Sequence, residues 1–157
     1  MASPYSTEAM TRSDEGDVAV LTYSPLDIGS IIAAVSSPEA GAIATFLGQT
    51  RNNFDTKVVT HLEYEAYSAL AIKTMATVLQ RARTRSQTPL TRLAIYHRLG
   101  ECPVGTTSIV VAVSSPHRAE AFEACSWIVD EVKRRAQIFK REYYEGLSEA
   151  EAAWKRN

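Results

Sequence analysis

Two amphipathic segments, residues 68–85 and 116–136, constrain the fold of this chain more than any other feature. In the first, Ile72, Met75, Ala76, Leu79 and Ala82 recur at spacings of three and four, one face of a helix, while Lys73, Gln80, Arg81 and Arg85 take the other face. In the second, which Ser115-Pro116 opens as N-cap and first helical residue, Phe122, Cys125, Ile128, Val129, Val132 and Ala136 form the apolar stripe. Each stripe needs a surface to cover, and the segments between them read as strands. Val18–Tyr23, Gly41–Leu47, Val58–Ala66, Arg92–Leu99, Thr106–Ser114 and Ile138–Tyr144 are short apolar or alternating runs. In Val58–Ala66 the alternation puts Val58, Leu62, Tyr64 and Ala66 on one side. Gly100–Gly105 reads as a turn between two strands, and the polar stretch 48–57 as a long loop. A further helix follows Ser24-Pro25, carrying Ile28, Ile31, Ile32 and Val35. Ser148 and Glu151 have capping-box spacing ahead of a last short helix ending near Trp154. Mostly antiparallel strands with two main helices, lacking regular βαβ alternation, give an α+β fold.

The chain has 157 residues, one domain's length. Residues 1–17 hold five Ser/Thr and four acids with almost no large apolar groups, which predicts a disordered tail before a single domain over 18–157. Lys and Arg number 17 against 18 Asp and Glu, so no cationic surface is available for general nucleic-acid binding. Two cysteines without a C-x-x-C pair, and three histidines, support neither a disulfide scaffold nor a structural zinc site. No apolar run approaches the roughly 20 residues needed to span a bilayer, and 1–17 has no apolar leader core. The expectation is a cytosolic protein without membrane attachment.

Three places carry chemistry. Ser114–Arg118 (SSPHR) lies where an apolar strand gives way to a helix, whose first N–H groups are unpaired and suit an anion. Cations such as His117 and Arg118 are disfavoured there by the helix dipole unless an anion joins them. Lys133, Arg134, Arg135, Lys140 and Arg141 fall within nine residues. The helix C-terminus accounts for part of that run. Lys140 and Arg141 lie beyond it, on a strand that sends them to opposite faces, with Glu142 able to hold one in place. Phe46–Arg51 (FLGQTR) runs from a strand end into a loop with one arginine. His97-Arg98 reads as structural, Cys125 as core, and Cys102, in a turn, as the one thiol open to reaction.

Gly41–Arg51 (GAIATFLGQTR), Leu62–Tyr67 (LEYEAY), His97–Glu101 (HRLGE), Ser114–Ala124 (SSPHRAEAFEA) and Asp130–Glu142 (DEVKRRAQIFKRE), in this order and spacing, resemble the large, catalytic subunits of molybdopterin synthases. The resemblance covers residues 18–157. It implies an α/β-hammerhead fold and a sulfurtransferase of molybdenum-cofactor biosynthesis. Such an enzyme converts cyclic pyranopterin monophosphate (precursor Z) into molybdopterin by installing a dithiolene. It also implies a small ubiquitin-like partner subunit that delivers sulfur as a thiocarboxylate on a C-terminal Gly-Gly, and a heterotetramer built on a homodimer of large subunits. Carried over by position, the pterin and phosphate site falls on His117, Arg118, Lys133, Lys140, Arg141 and Glu142. Phe46 and Arg51 match further active-site positions, Arg51 in cis or across the dimer. Lys133 and Lys140 are the expected catalytic side chains, with no metal, no cofactor and no catalytic cysteine. The sequence departs from the family pattern at Gln137, Phe139 and Thr50, and the 52–57 loop lacks a customary glycine. Other classes remain open from the residues alone: a persulfide carrier using Cys102, an RNA-binding module on 133–141, and a non-catalytic adaptor for a ubiquitin-like protein.

Overall fold

The computed structural model describes residues 3–148 and 152–157. In chain order its elements begin with β1 (Ala9–Arg12), β2 (Val18–Thr22), α1 (Ile28–Val35), β3 (Ala42–Gln49), β4 (Asn53–Phe54) and β5 (Lys57–Ala66). They continue with α2 (Ser68–Arg85), β6 (Arg92–Arg98), β7 (Gly100–Pro103), β8 (Thr107–Ser115), α3 (Arg118–Arg135), β9 (Ile138–Tyr144) and β10 (Trp154–Arg156). One sheet runs β1-β2-β6-β8-β3, antiparallel except for the β2–β6 pair. A second runs β10-β9-β5-β4, with β7 also paired to β5. The fold is α+β, as the pattern predicts.

The first sheet is covered on both faces. Leu93 and Ile95 of β6, with Val111 and Val113 of β8, face the large core shared with α2 and α3. The alternate residues Ala94, Val110 and Ala112 face Ile31 and Val35 of α1. A strand sandwiched in this way reads as a continuous apolar run instead of alternating. That is the pattern of Ile109–Val113.

Several expectations are corrected. Residues 3–17 are not a loose tail: β1 pairs with β2, and buried Ser6 accepts from Ala66 N at 3.1 Å. Asp17, 4% exposed, takes two bonds from Arg83, at 2.6 and 2.7 Å, and one from Leu93 N. These anchors are backbone pairing and polar contacts, which apolar composition does not register. α1 starts at Ile28 and not at Pro25, because Asp27 caps Ser30 N. α3 starts at Arg118 with His117 as its N-cap, while the Ser115 hydroxyl is spent on the His117 carbonyl. Phe122 is 66% exposed and lies off the buried stripe, which instead takes in Ala121 and Ala124. Val58 is exposed and Val59 buried, since a register shift between Val59 and His61 reverses the alternation. Trp154 belongs to a strand, not a helix; Glu151 of the expected capping box lies outside the described residues. Cys102 sits on β7, fully buried.

Candidate active site

The second sheet and the end of β3 enclose a cavity of about 280 Å3. Arg51 reaches it just beyond β3, Lys133 from the last turn of α3, and Lys140 and Glu142 from one face of β9. The strand's period of two is what separates Lys140 and Glu142 from Arg141. Arg141 lies on the other face, its Nε donating to Ala152 O at 3.0 Å and its guanidinium stacked near Tyr143 and Trp154. Phe46 stands beside the cavity, its ring 5.8 Å below the Lys133 ammonium.

Glu142 organises the charge. Its carboxylate is buried, 3.8 Å from Lys140 Nζ and 3.6 Å from Lys155 Nζ, and it accepts from the Tyr144 hydroxyl. Burial pushes the Lys140 ammonium below the usual lysine range; Glu142 opposes that shift, while Lys133, Lys155 and Arg51 add to it. A half-buried lysine so placed holds its proton less tightly than a surface one, which suits both charge neutralisation and proton transfer. Burial, with Glu142 beside it, pushes the Tyr144 hydroxyl up to about 12, so this group stays protonated.

His97, read from the sequence as structural, also forms part of the cavity wall. It is fully buried, and burial drives it down to about 4, with Lys133 adding to the effect. It is therefore neutral at pH 7. Its Nδ1 lies 2.8 Å from Arg98 O, which fixes the proton there and leaves Nε2 as an acceptor, 2.9 Å from Asn157 Nδ2. Tyr64, also on the wall, meets the imidazole edge-on at 4.8 Å, and its hydroxyl accepts from Ser108 at 3.3 Å. The signal for these residues was a polar or aromatic side chain on an otherwise apolar strand. It sits within LEYEAY and HRLGE.

Backbone detail shapes the entrance. Gly48 sits where a Cβ would lie 2.5 Å from Ile109 Cγ2 and 3.4 Å from the Phe46 ring. The register shifts between Gly48 and Gln49, turning the chain toward Arg51. Thr50, a departure from the family pattern, is buried and its hydroxyl donates to Cys102 O at 3.3 Å. In the 52–57 loop Asp55 takes φ 55, the left-handed conformation a glycine would otherwise supply.

Other expected site residues lie elsewhere. His117 and Arg118 are exposed at the start of α3, about 22 Å along the helix from Lys133 at 1.5 Å per residue. Neither lines the cavity. Burial pushes the thiols of Cys102 and Cys125 up to about 11, so neither is a thiolate at neutral pH. Among the described residues no group of three or more His, Cys, Asp or Glu could hold a metal, and no helix is long and apolar enough to cross a membrane.

An α+β scaffold thus holds two lysines, an arginine and a buried carboxylate around one small cavity, a charge pattern that suits an anionic ligand. Residues 21–135 match the family described as MoaE protein. The chain is 45% identical over 140 residues to the molybdopterin synthase catalytic subunit of Culex quinquefasciatus, covering 87% of this chain and 86% of that one. It is 41% identical over 141 residues to the corresponding Rattus norvegicus protein, covering 90% and 68%. Molybdopterin synthase from Staphylococcus aureus superposes with a TM-score of 0.77 at 25% identity, covering 87% and 96% of the two chains. The chain belongs to the MoaE family of molybdopterin synthase catalytic subunits.

Proposed function

We propose that this chain transfers sulfur from the C-terminal thiocarboxylate of a small ubiquitin-like partner to cyclic pyranopterin monophosphate, building the dithiolene of molybdopterin. The observation that carries this reading is the convergence of Lys133, Lys140 and Arg51 on one cavity, with Glu142 set between two lysines. A thiocarboxylate and a phosphate are both anions, and preorganised ammonium groups stabilise charge that shifts between them. A Gly-Gly tail is narrow enough to reach such a site. The attacking sulfur arrives with the partner, so the high thiol pKa values of Cys102 and Cys125 are no obstacle. Two buried free thiols also favour a reducing compartment, the cytosol. In Helicobacter pylori a fold neighbour, 20% identical with a TM-score of 0.67, is described as a complex of subunits 1 and 2 of the molybdopterin-converting factor.

His117 and Arg118 join this reading through a homodimer. β3 is one of the two edges of the first sheet, and Ile43, Leu47 and Phe122 stand exposed along it and the adjoining face of α3. Docking β3 against its copy about a two-fold axis runs the two strands antiparallel. The start of one β3, where Gly41 packs on Pro116, then meets the end of the other, where Arg51 leads into the cavity. In this arrangement Arg51 acts in cis, and His117 and Arg118 reach the partner copy's substrate. This homodimer would form the centre of the heterotetramer.

The test combines full chain, thiocarboxylated partner and precursor, and looks for dithiolene product. Absence of product with the folded proteins would refute the transfer reading. Mixing Arg118→Ala with Lys133→Ala chains tests the shared site. One intact site per mixed dimer, with half the dimers mixed, restores roughly a quarter of wild-type turnover. No gain over the separate variants would refute sharing.

A further inference from the structure

On the flank of the molecule, α2 and α3 leave a groove of about 640 Å3 that shares no lining residue with the active-site cavity. Its charge comes from three separate elements: Lys73 and Arg81 from α2, Arg134 and Arg135 from α3, and Arg156 from β10. Among the described residues one carboxylate answers them. Glu131 pairs with Arg134 at 3.5 Å and with Arg135, and these arginines, with Arg81, hold its carboxyl below the usual glutamate range. Among the described residues no carboxylate lies within 4.0 Å of Lys73, Arg81 or Arg156.

The helix dipole accounts for Arg134 and Arg135 in the last turn of α3. It does not account for Lys73, in the second turn of α2 and far from that helix's C-terminus, or for Arg156 on a strand. In a chain of formal net charge −1, five cations around one carboxylate are a local excess whose self-repulsion an anionic partner relieves. The span from Lys73 to Arg81, about 12 Å along the helix, exceeds a single phosphate. No aromatic side chain lines the groove, so it offers bases no stacking platform. Leu70, exposed at the groove's edge, gives it one apolar contact instead.

We propose that this groove docks an acidic protein segment, its Asp and Glu side chains forked by the arginines and an apolar side chain resting on Leu70. The proposal is independent of the sulfur-transfer reading.

The test titrates the full chain with a labelled Glu-Glu-Leu-Glu-Asp-Leu-Glu-Glu peptide, its Gln/Asn counterpart and a uridine 12-mer, by fluorescence anisotropy near physiological salt. The acidic peptide should bind at least about tenfold more tightly than the neutral one, and Arg81→Glu should remove about that much. Arg12→Glu makes the same charge change on the exposed face of β1 and should cost less than about twofold, since screening confines the effect to nearby groups. Arg81→Gln, which reverses no charge, should give an intermediate loss. Equal losses for Arg12→Glu and Arg81→Glu would overturn the proposal in favour of undirected net-charge attraction. Tighter binding of the RNA, or no binding of the acidic peptide, would overturn it as well.

Discussion

The two ends of α3 carry the same kind of residue in different surroundings. At its start His117 and Arg118 are exposed and enclose nothing within this chain. At its end Lys133 looks into a cavity where Lys140 is half-buried, Glu142 is buried and His97 is held neutral. The C-terminal end thus borders a charged cavity within this chain, and the N-terminal end borders none. What separates them is company: Lys133 is itself exposed, but it borders the half-buried Lys140 and the buried Glu142. Low-dielectric walls make the charges of Lys140 and Glu142 worth more than counterparts in solvent.

The strongest way to break this comparison is at the enclosed end. Lys133→Ala and Lys140→Ala should each lower single-turnover rates by about 100–1000-fold, with far smaller effects on partner affinity. Arginine at either position should rescue incompletely, because its charge and planar shape are fixed. Equal losses in rate and partner affinity would make Lys133 a docking residue instead. At the open end Arg118→Ala should weaken pterin binding by about 1.5–3 kcal/mol, the range for a hydrogen bond to a charged group, and leave partner affinity unchanged. Unchanged substrate affinity would leave Arg118 as solvated surface.

His97 sharpens the contrast through pH. Its native value of about 4 lies below the ordinary 6.5, so between those values the unfolded chain binds a proton that the native one does not. Stability is then complete above about 6.5 and falls as pH drops toward 4. The loss should be on the order of 2 kcal/mol between pH 7 and pH 5. Melting temperatures across that window measure it, and His97→Gln should flatten the slope. The smallest effect belongs to the thiols. Cys102→Ser with Cys125→Ala should cost about 1 kcal/mol or more in stability and leave turnover per folded molecule near wild type. A several-hundred-fold loss of turnover would favour persulfide chemistry.

Much of the fold was legible in the sequence. The span of α2, the apolar run of β8 and the divergence of Lys140 from Arg141 on β9 follow from local periodicity, and the structure reproduces them. What stayed hidden depends on distant parts of the chain. β1 exists because β2 has an edge to offer, and β10 because β9 does. Neither strand is marked by its own composition. The exchange of Val58 for Val59 comes from a bulge opposite β9 that no count along β5 reveals. The cations of the site were visible as residue types. Which of them meet was not, since that depends on how β3, α3 and β9 converge. The family resemblance supplied the membership, and the geometry divided it between the cavity and the far end of α3.

Gly48 carries a consequence for how sequence variation in this chain is read. An alanine there alters no charge, no titrating group and no hydrogen-bonding side chain, and substitution tables rank it among the mildest exchanges. Yet the added methyl would fall 2.5 Å from a branched, buried Ile109, so β3 and β8 would have to part at the spot where the chain turns toward Arg51. In a genetic screen such an allele would surface through the missing product. It would escape any search that ranks variants by polarity or charge.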